Sequence, residues 1–289
     1  MMRVAVLGLG AMGIRMAERW HNEGHTLQLF NRTEARAEPL VKGGASVFQT
    51  PKEAARDADA VVSMVRDDEA SRSIWLDSVT GAFQSMKPDA LAVESSTLTP
   101  AWVGQLSREA ELRGFPFLEA PVAGSRPQAE AGQLIYFVGG SEPNLERARP
   151  LLEACASSIH PVGDPGMGAV VKLCVNALFG IQTAALAEVL GLATRSGMEL
   201  QSILDVLEQL PITSPAMKGM GRLMANRSFA PQFPIDLVDK DFGYVLSSAH
   251  AAGASVPVAD AVWRVFHDAV RAGHGGDNIS GIAKLYLER

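Results

Sequence analysis

The chain has 289 residues, of which 47% are hydrophobic and 20% charged, and its formal net charge at pH 7 is −6. This length and composition are typical of a globular protein with one large domain or two medium ones. The acidic balance, with no basic run interleaved with aromatic residues, argues against a nucleic-acid-binding protein.

The N-terminal residues predict a strand followed by a glycine-rich turn and a helix. Arg3–Leu7 is a short apolar run typical of a buried parallel strand, and a second strand is predicted at Thr26–Phe30. Between them a helical pattern stops at Gly24. The turn that opens this helix has the pattern GxGxxG and consists of Gly8, Leu9, Gly10, Ala11, Met12 and Gly13.

A GxGxxG turn between a strand and a helix, in a unit of about thirty residues, is the fingerprint of a dinucleotide-binding site. Gly8 permits the tight turn, Gly10 lets the pyrophosphate approach the backbone, and Gly13 lets helix and strand pack closely. The anion then lies at the helix N-terminus, where free N–H groups and the helix dipole favour it. The alternative is a glycine-rich turn that binds no ligand.

The end of the second strand bears on the choice of cofactor. An NAD site usually has an acidic residue there, bonded to the ribose hydroxyls. Here the residues are Asn31, Arg32 and Thr33. Arg32 can pair with a 2′-phosphate, which an acid would repel, so the sequence favours NADP(H), with NAD(H) as the second choice. The alternative is that Arg32 is a solvated loop charge and Thr33 only a helix N-cap.

The α/β alternation continues to about residue 163. Thr50 and Pro51 are predicted as N-cap and first residue of a short helix, and another helix is predicted at Pro100–Arg113. Because ligands bind beyond the carboxyl ends of parallel strands, Met64, Val65, Thr97 and the loop after Ala120 are expected near the cofactor. The further strands are predicted at Ala60–Val65, Leu91–Glu94, Phe117–Ala120 and Ile135–Val138.

Beyond residue 163 only helical patterns are found. We predict two domains, a doubly wound Rossmann domain over residues 1–163 and an all-α domain over residues 164–289, joined by a long helix from Gly166 to Gly197. That helix is apolar nearly all round, which predicts burial, and its polar residues argue against a membrane span. The other helices are predicted at Glu199–Gln209, Ala216–Met224, Lys240–Ala251 and Pro257–Ala272.

The long helix carries a lysine that is a candidate for chemistry. Lys172 and Asn176 are one turn apart on one face, and Gly168 lies one turn before them. Burial of an ammonium is costly and lowers its pKa, which suits a group that exchanges protons. The glycine would let a ligand approach the backbone. The alternative is that the lysine extends its charge to solvent.

Two further polar features are candidates for substrate contacts. In the loop Ala120–Pro127, the backbone N–H groups of Gly124 and Ser125 are candidates for holding a carboxylate, although a plain connecting loop is the alternative. Lys240 and Asp241 open a helical pattern, where a surface ion pair is the alternative. No spacing of histidine, cysteine or carboxylate residues predicts a metal site. The two cysteines, Cys155 and Cys174, are expected as buried thiols in a reducing cytoplasm.

Four motifs occur in order along the chain: GLGAMGIRMA at Gly8–Ala17, APVAGS at Ala120–Ser125, GMGAVVKLCVN at Gly166–Asn176 and KD at Lys240–Asp241. This ordered set resembles the β-hydroxyacid dehydrogenases, the family that includes 3-hydroxyisobutyrate dehydrogenase and tartronate semialdehyde reductase. The resemblance covers essentially the whole chain. The segments GSRPQAEAGQL and ITSPAMKGMG are most similar to the glyoxylate/succinic semialdehyde reductase branch, which uses NADPH.

The resemblance implies hydride transfer between NADP(H) and a small aldehyde or keto acid, such as glyoxylate or succinic semialdehyde. It implies that Lys172 is the catalytic acid/base and that Asn176 places the substrate. By the same resemblance, Thr97 lies at the nicotinamide and substrate, Lys240 lies beside the cofactor, and Phe233 and Asp241 lie at the substrate. The family loop usually reads PVSG, whereas this chain has Ala123 in place of the serine, which bears on substrate choice.

Three alternatives stay open at this point. The first is a 3-hydroxyisobutyrate or tartronate semialdehyde type of dehydrogenase. The second is an imine reductase-like enzyme, a group that usually lacks the lysine. The third is an NADP-binding module without turnover, against which Lys172 and Asn176 argue. The resemblance also implies a homodimer or homotetramer; the expected partner is a small carboxylate substrate, with neither nucleic acid nor membrane.

Overall fold

Residues 1–287 are described in this computed structural model, and nine strands between residues 3 and 163 form one sheet. Eight strands follow the spatial order β3-β2-β1-β4-β5-β6-β8-β7, and β9 pairs with β8. The strands are β1 Arg3–Leu7, β2 Thr26–Phe30, β3 Ser46–Val47, β4 Ala60–Ser63, β5 Leu91–Glu94, β6 Phe117–Glu119, β7 Val122–Ala123, β8 Leu134–Gly139 and β9 Ala156–Gly163.

The order of the strands reverses at β1, which lies between β2 and β4. Leu7 at the end of β1 is in register with Phe30 on one side and with Ser63 on the other. The pairs from β3 to β6 are parallel, whereas β8 runs antiparallel to β6 and β7. The predicted doubly wound sheet is therefore confirmed, and its switch point lies at the carboxyl ends of β1 and β4.

Helices cover both faces of the sheet and bury two apolar clusters. One cluster includes Trp20, and the other includes Trp75 and Trp102. Both faces of the parallel strands are covered, which is why β1, β4 and β5 are almost continuous apolar runs. The helices are α1 Gly13–Asn22, α2 Glu38–Lys42, α3 Pro51–Ala55, α4 Asp68–Leu76, α5 Pro100–Leu112, α6 Arg126–Ala131 and α7 Glu142–Glu153.

The chain divides into two compact units, Met1–Lys172 and the residues from Leu173 onward. The division falls inside the long helix α8, Met167–Arg195, whereas the sequence placed a boundary before that helix at residue 163. The second unit is helical and packs around its own apolar cluster, which includes Phe242 and Phe266. Its other helices are α9 Leu200–Gln209, α10 Pro215–Ala225, α11 Ile235–Ala251, α12 Pro257–Ala269 and α13 Lys284–Leu287.

Several details of the sequence prediction were wrong. The eight-residue strand β9 was missed, because all of its residues are exposed or half-buried and one of them is a proline. Helix α11 begins at Ile235 rather than at Lys240, after Pro234 in the N-cap position. Cys174 is exposed, whereas Cys155 is buried as expected.

Helix α8 is not buried all round. Within its apolar surface, one stripe at helical spacing is exposed and includes Val175, Leu178, Val189 and Leu192. By length and composition α8 also meets the criteria for a membrane-spanning helix, but core helices of globular proteins meet them too. In the most apolar stretch of 18 residues of α8, 44% of the residues are buried within the protein.

Candidate active site

The glycine-rich turn between β1 and α1 has the shape of a dinucleotide cradle. Gly8 has φ +105°, and a Cβ at this position would lie 2.4 Å from the carbonyl oxygen of Met64. A Cβ at Gly13 would lie 2.0 Å from the carbonyl oxygen of Gly8, whereas a Cβ at Gly10 would meet nothing within 4 Å. The outer two glycines therefore let the backbone pack closely, and the middle one leaves open space over the turn, as a bound pyrophosphate requires.

The segment after β2 is attached to this turn by one amide side chain. The Leu9 N–H donates to Asn31 Oδ1 at 2.9 Å, and Asn31 Nδ2 donates to the Thr33 carbonyl at 2.8 Å. Arg32, between them, is exposed. The three residues that follow β2 thus include an arginine and no carboxylate. Leu9, Ala11 and Met12 complete the turn and lead into the first turn of α1.

The ends of β4 and β5 are joined by hydrogen bonds that sequence reasoning missed. The Val65 N–H donates to Ser96 Oγ at 2.8 Å, and the Ser96 N–H donates to Glu94 Oε1 at 2.9 Å. Glu94 is fully buried, which raises the pKa of its carboxyl group. The network fixes the backbone just before Thr97, which is half-buried as the strand-end position predicts. The sequence did contain a signal for this network, because Glu94 is an acidic residue at the end of an otherwise apolar strand.

The loop proposed to hold a carboxylate follows the short strand β7. Gly124 has φ +115°, and a Cβ there would crowd Leu134 at 3.0 Å, so this turn requires glycine. The Ser125 N–H and hydroxyl both donate to Gln128 Oε1, at 3.0 and 2.9 Å. The two donors therefore converge on one acceptor position, which an amide oxygen occupies in this structure. Ala123 lies at the end of β7.

Lys172 lies in the second turn of α8 with 8% of its surface exposed. The side chain is therefore buried and does not extend into solvent. A Cβ at Gly168, one turn earlier, would lie 2.5 Å from the carbonyl oxygen of Phe137, so this turn of α8 packs directly on the backbone of β8. The glycine serves that contact, whereas the sequence suggested that it makes room for a ligand.

Asn176, one turn after Lys172, is also buried. Its Nδ2 donates to Asp241 Oδ2 at 2.7 Å, and Lys240 Nζ lies 2.9 Å from Asp241 Oδ1. An ionised carboxylate only accepts hydrogen bonds, so Asp241 fixes the orientation of the Asn176 amide. Lys240 also lies over the ring of Tyr244, 4.5 Å from its centroid. Asp241 is buried and Lys240 is half-buried, so this is not the exposed surface ion pair considered from the sequence.

Close helix packing explains why Asn176 meets Asp241. A Cβ at Gly180 would lie 2.5 Å from Cε2 of Phe242, so α8 and α11 touch at a glycine one turn after Asn176. Phe233 lies before α11, where its N–H donates to Asn278 Oδ1 at 3.0 Å. The structure therefore brings Asn176, Asp241 and Lys240 together, whereas Phe233 lies just before α11, eight residues before Asp241 in the chain.

The comparisons with known proteins agree with this organisation. Residues 3–163 match the family of the NAD-binding domain of 6-phosphogluconate dehydrogenase, and residues 166–286 match the family described as NAD-binding of NADP-dependent 3-hydroxyisobutyrate dehydrogenase.

Three similar proteins cover nearly the whole chain. An NAD-dependent L-serine dehydrogenase of Pseudomonas aeruginosa is 30% identical over 99% of this chain and 98% of its own. Glyoxylate/succinic semialdehyde reductase 1 of Arabidopsis thaliana is 31% identical over 97% of each chain. The structure of Mycobacterium tuberculosis 3-hydroxyisobutyrate dehydrogenase with L-serine superposes with a TM-score of 0.90, at 30% identity and 99% coverage of both chains. The chain therefore belongs to the β-hydroxyacid dehydrogenase family and is an NAD(P)-dependent oxidoreductase acting on CH–OH groups.

Proposed function

We propose that this enzyme reduces a small aldehyde acid, glyoxylate or succinic semialdehyde, with NADPH, and that Lys172 is its general acid. The observation that carries the proposal is a buried lysine one helical turn from a buried asparagine whose amide is oriented by a carboxylate. A buried ammonium beside such a group is suited to give a proton to a forming alkoxide.

In this proposal the cofactor-binding residues form two groups, one that would hold the pyrophosphate and one that would border the nicotinamide. The turn of Gly8, Gly10 and Gly13 would hold the pyrophosphate, for which the open space at Gly10 is the support, and the nicotinamide supplies the hydride when the cofactor is bound. Met64, Val65 and Thr97, at the ends of β4 and β5, would border the ring, and Lys240 would contact the cofactor from α11.

The substrate carboxylate would bind at Gly124 and Ser125. The Ser125 N–H and hydroxyl already converge on one oxygen of Gln128. A substrate carboxylate is charged and is a stronger acceptor than this amide, so it would replace Gln128 at these donors. Phe233 and Asp241 would complete the substrate contacts, and Ala123 would leave room where relatives of this family have a serine hydroxyl.

Lys172 and Asn176 would act on the reacting oxygen. In the reductive direction, the Lys172 ammonium donates its proton to the substrate oxygen as the carbonyl is reduced. In the oxidative direction, the neutral amine accepts the hydroxyl proton. Asn176, held by Asp241 through Nδ2, would orient the same oxygen. A general acid in this position contributes about 10²- to 10⁴-fold to the rate.

The preference for NADPH rests on Arg32. The side chain is exposed in the segment tied to the glycine-rich turn by Asn31, and the next acidic residue, Glu34, accepts a hydrogen bond from Gln49. Arg32 would therefore pair with the 2′-phosphate without a competing carboxylate among residues 31–33.

The first test is the initial rate of NADPH and NADH oxidation with glyoxylate, succinic semialdehyde, methylmalonate semialdehyde and tartronate semialdehyde. Fast NADPH-selective reduction of the first two supports the proposal. Arg32→Ala should weaken NADPH much more than NADH, whereas Arg36→Ala, another exposed arginine of the same segment, should change neither. An equal loss for both cofactors in Arg32→Ala would contradict the 2′-phosphate assignment.

A second candidate is oxidation of 3-hydroxyisobutyrate or L-serine. It is supported by the likeness to the Mycobacterium tuberculosis structure and to the Pseudomonas aeruginosa dehydrogenase. Faster NAD(P)⁺ reduction with these hydroxy acids than reduction of any aldehyde acid in the panel would favour this candidate.

We also propose that the protein is a cytoplasmic homodimer or homotetramer. The exposed apolar stripe of α8, which includes Leu178 at 59% and Leu192 at 68% exposure, supports the oligomeric state. Light scattering on the purified protein would test it, and a monomer at micromolar concentration would contradict it.

A further inference from the structure

A buried carboxylate at the end of β6 holds the N-terminus of the helix that carries Lys172. Glu119 Oε2 accepts hydrogen bonds from the N–H groups of Gly166, at 2.7 Å, and Gly168, at 3.0 Å. Its Oε1 accepts one from the N–H of Ala169 at 2.5 Å. The first N–H groups of a helix have no partner within it, so three donors at the start of α8 are satisfied by one side chain about fifty residues earlier in the chain.

Two glycines make room for this carboxylate. A Cβ at Gly139 would lie 2.5 Å from Glu119 Oε2, and a Cβ at Gly168 would lie 2.9 Å from its Cδ. Gly166 has φ +104°, which lets the chain turn into the helix with its N–H directed at the carboxylate. Any other residue at positions 139 or 168 would displace the side chain of Glu119, so the contact is built by three separate segments of the first unit.

The negative charge is placed where the helix favours it. A carboxylate at a helix N-terminus interacts with the positive end of the helix dipole. The charged group that faces Glu119 from the neighbouring strand is Glu94, its register partner in β5. Burial, together with the charge of Glu94, raises the pKa of Glu119 to about 7 despite the three N–H donors. Helix α8 contributes backbone N–H groups to this contact, and β8 contributes Gly139.

The contact lies directly beneath the lysine. Gly168 and Ala169 are four and three residues before Lys172, so they form the turn immediately N-terminal to it. Helical side chains generally point back toward the N-terminus, so we expect the stem of Lys172 to lie over the turn whose N–H groups Glu119 holds. A shift of this turn moves the ammonium by a similar amount.

We propose that Glu119 is a positioning residue for the reaction: by holding the first turn of α8 it sets the location of the Lys172 ammonium. This inference rests on the proposed role of Lys172 as general acid. A carboxylate that only stabilised the fold would lower stability when removed and would leave the turnover of the folded enzyme unchanged. A positioning residue affects kcat through Lys172 and has no effect once the lysine is absent.

The test is a double-mutant cycle with Glu119→Gln, Lys172→Ala and the double variant, measured as kcat with NADPH and the best substrate of the panel at about pH 8.5, where Glu119, with a pKa of about 7, is ionised. Gln has the same shape but one acceptor oxygen fewer, so part of the contact is lost. We expect Glu119→Gln to lower kcat by about 10- to 100-fold, the effect of a misplaced catalytic group. The dissociation constant of NADPH, measured by fluorescence, should stay within about 2-fold, since the glycine-rich turn makes none of these hydrogen bonds.

The cycle separates the two hypotheses. If Lys172→Ala keeps wild-type kcat, the proposed function fails. If it loses about 10²- to 10⁴-fold, as removal of a general acid does, its remaining rate is measurable. Adding Glu119→Gln to Lys172→Ala should then lower kcat by less than about 2-fold. A further loss equal to that of the single variant would overturn the positioning role while leaving the role of Lys172 intact.

Two variants keep the result interpretable. Leu151→Ala removes a buried side chain of α7 from the core of the same unit and should lower stability without a loss of kcat. If Glu119→Gln does not fold, Glu119→Asp is used in the same cycle, because it keeps the charge and is one methylene too short to reach all three N–H groups. Unchanged kcat in a folded Glu119 variant would overturn the inference.

Discussion

The contact between Gly180 and Phe242 gives a prediction whose size follows from the packing. In Gly180→Ala, the new Cβ would lie 2.5 Å from Cε2 and 2.9 Å from Cζ of Phe242. That ring is 1% exposed and stacks on Phe266, which is fully buried, with centroids 5.6 Å apart. The ring therefore has no space into which to move, and α8 and α11 must separate.

Overpacking of this kind lowers the free energy of unfolding by about 1–3 kcal/mol. The same substitution also raises the free energy of unfolding by about 1 kcal/mol, because alanine is a better helix former than glycine. Gly243→Ala isolates the gain: this glycine is also inside a helix, α11, and its Cβ would meet nothing within 4 Å. The two variants should therefore differ in free energy of unfolding by about 1–3 kcal/mol, with Gly180→Ala the less stable. At roughly 2–4 °C per kcal/mol, the Tm difference is several degrees.

The separation of α8 and α11 should also lower the activity. Separation of the helices at Phe242 moves the neighbouring Asp241 away from Asn176 Nδ2, now at 2.7 Å, so kcat should fall by about 10-fold or more. Thermal unfolding and steady-state rates of the two variants check both effects. Equal stability of Gly180→Ala and Gly243→Ala would refute the packing argument. A clear loss of stability with unchanged kcat would refute the role given to the Asn176–Asp241 hydrogen bond.

Three further predictions follow from single contacts. Asp241→Asn should lower the stability by about 1.5–3 kcal/mol in denaturant titrations, with a fall in kcat, because the charged acceptor for Asn176 is lost; wild-type values for both would contradict it. Gly13→Ala should weaken NADPH binding by about 10- to 100-fold in a fluorescence titration, because its Cβ would overlap the Gly8 carbonyl; an unchanged Kd would count against the cradle. Because the pKa of Glu119 is raised to about 7 in the fold, the native state binds the extra proton and stability from this group is lost as the pH rises through 7. From about pH 5 to about pH 8, the free energy of unfolding of Glu119→Gln should therefore rise relative to wild type, and parallel pH profiles would contradict the assignment.

The elements with a strong local signal were predictable. The strands Arg3–Leu7 and Thr26–Phe30 were located to the residue, since each is a short apolar run bounded by polar or glycine residues. The N-cap at Thr50 was identified from its chemistry and is a capping box with Glu53. Strand β9 was not found, because a half-exposed strand with a proline lacks the apolar run that marks a buried one.

In the candidate site, too, the residues with a local sequence signal were predictable and those defined by long-range contacts were not. The glycine turn and Lys172 stand out in the sequence by spacing and by a charge on an apolar helix. Glu119 was missed, because its partners are backbone N–H groups about fifty residues away and only the folded chain brings them together. Gly180 was missed for the same reason, since its importance lies in the ring of Phe242 from another helix. Such long-range contacts leave no periodic pattern in the sequence.

The most direct test of the central claim is kcat for the Lys172→Ala variant, measured with NADPH and the best aldehyde acid alongside the dissociation constant of NADPH. We expect kcat to fall by about 10²- to 10⁴-fold while NADPH binds as tightly as in the wild type. A variant that binds NADPH normally and turns over at close to the wild-type rate would contradict the assignment of Lys172 as the general acid.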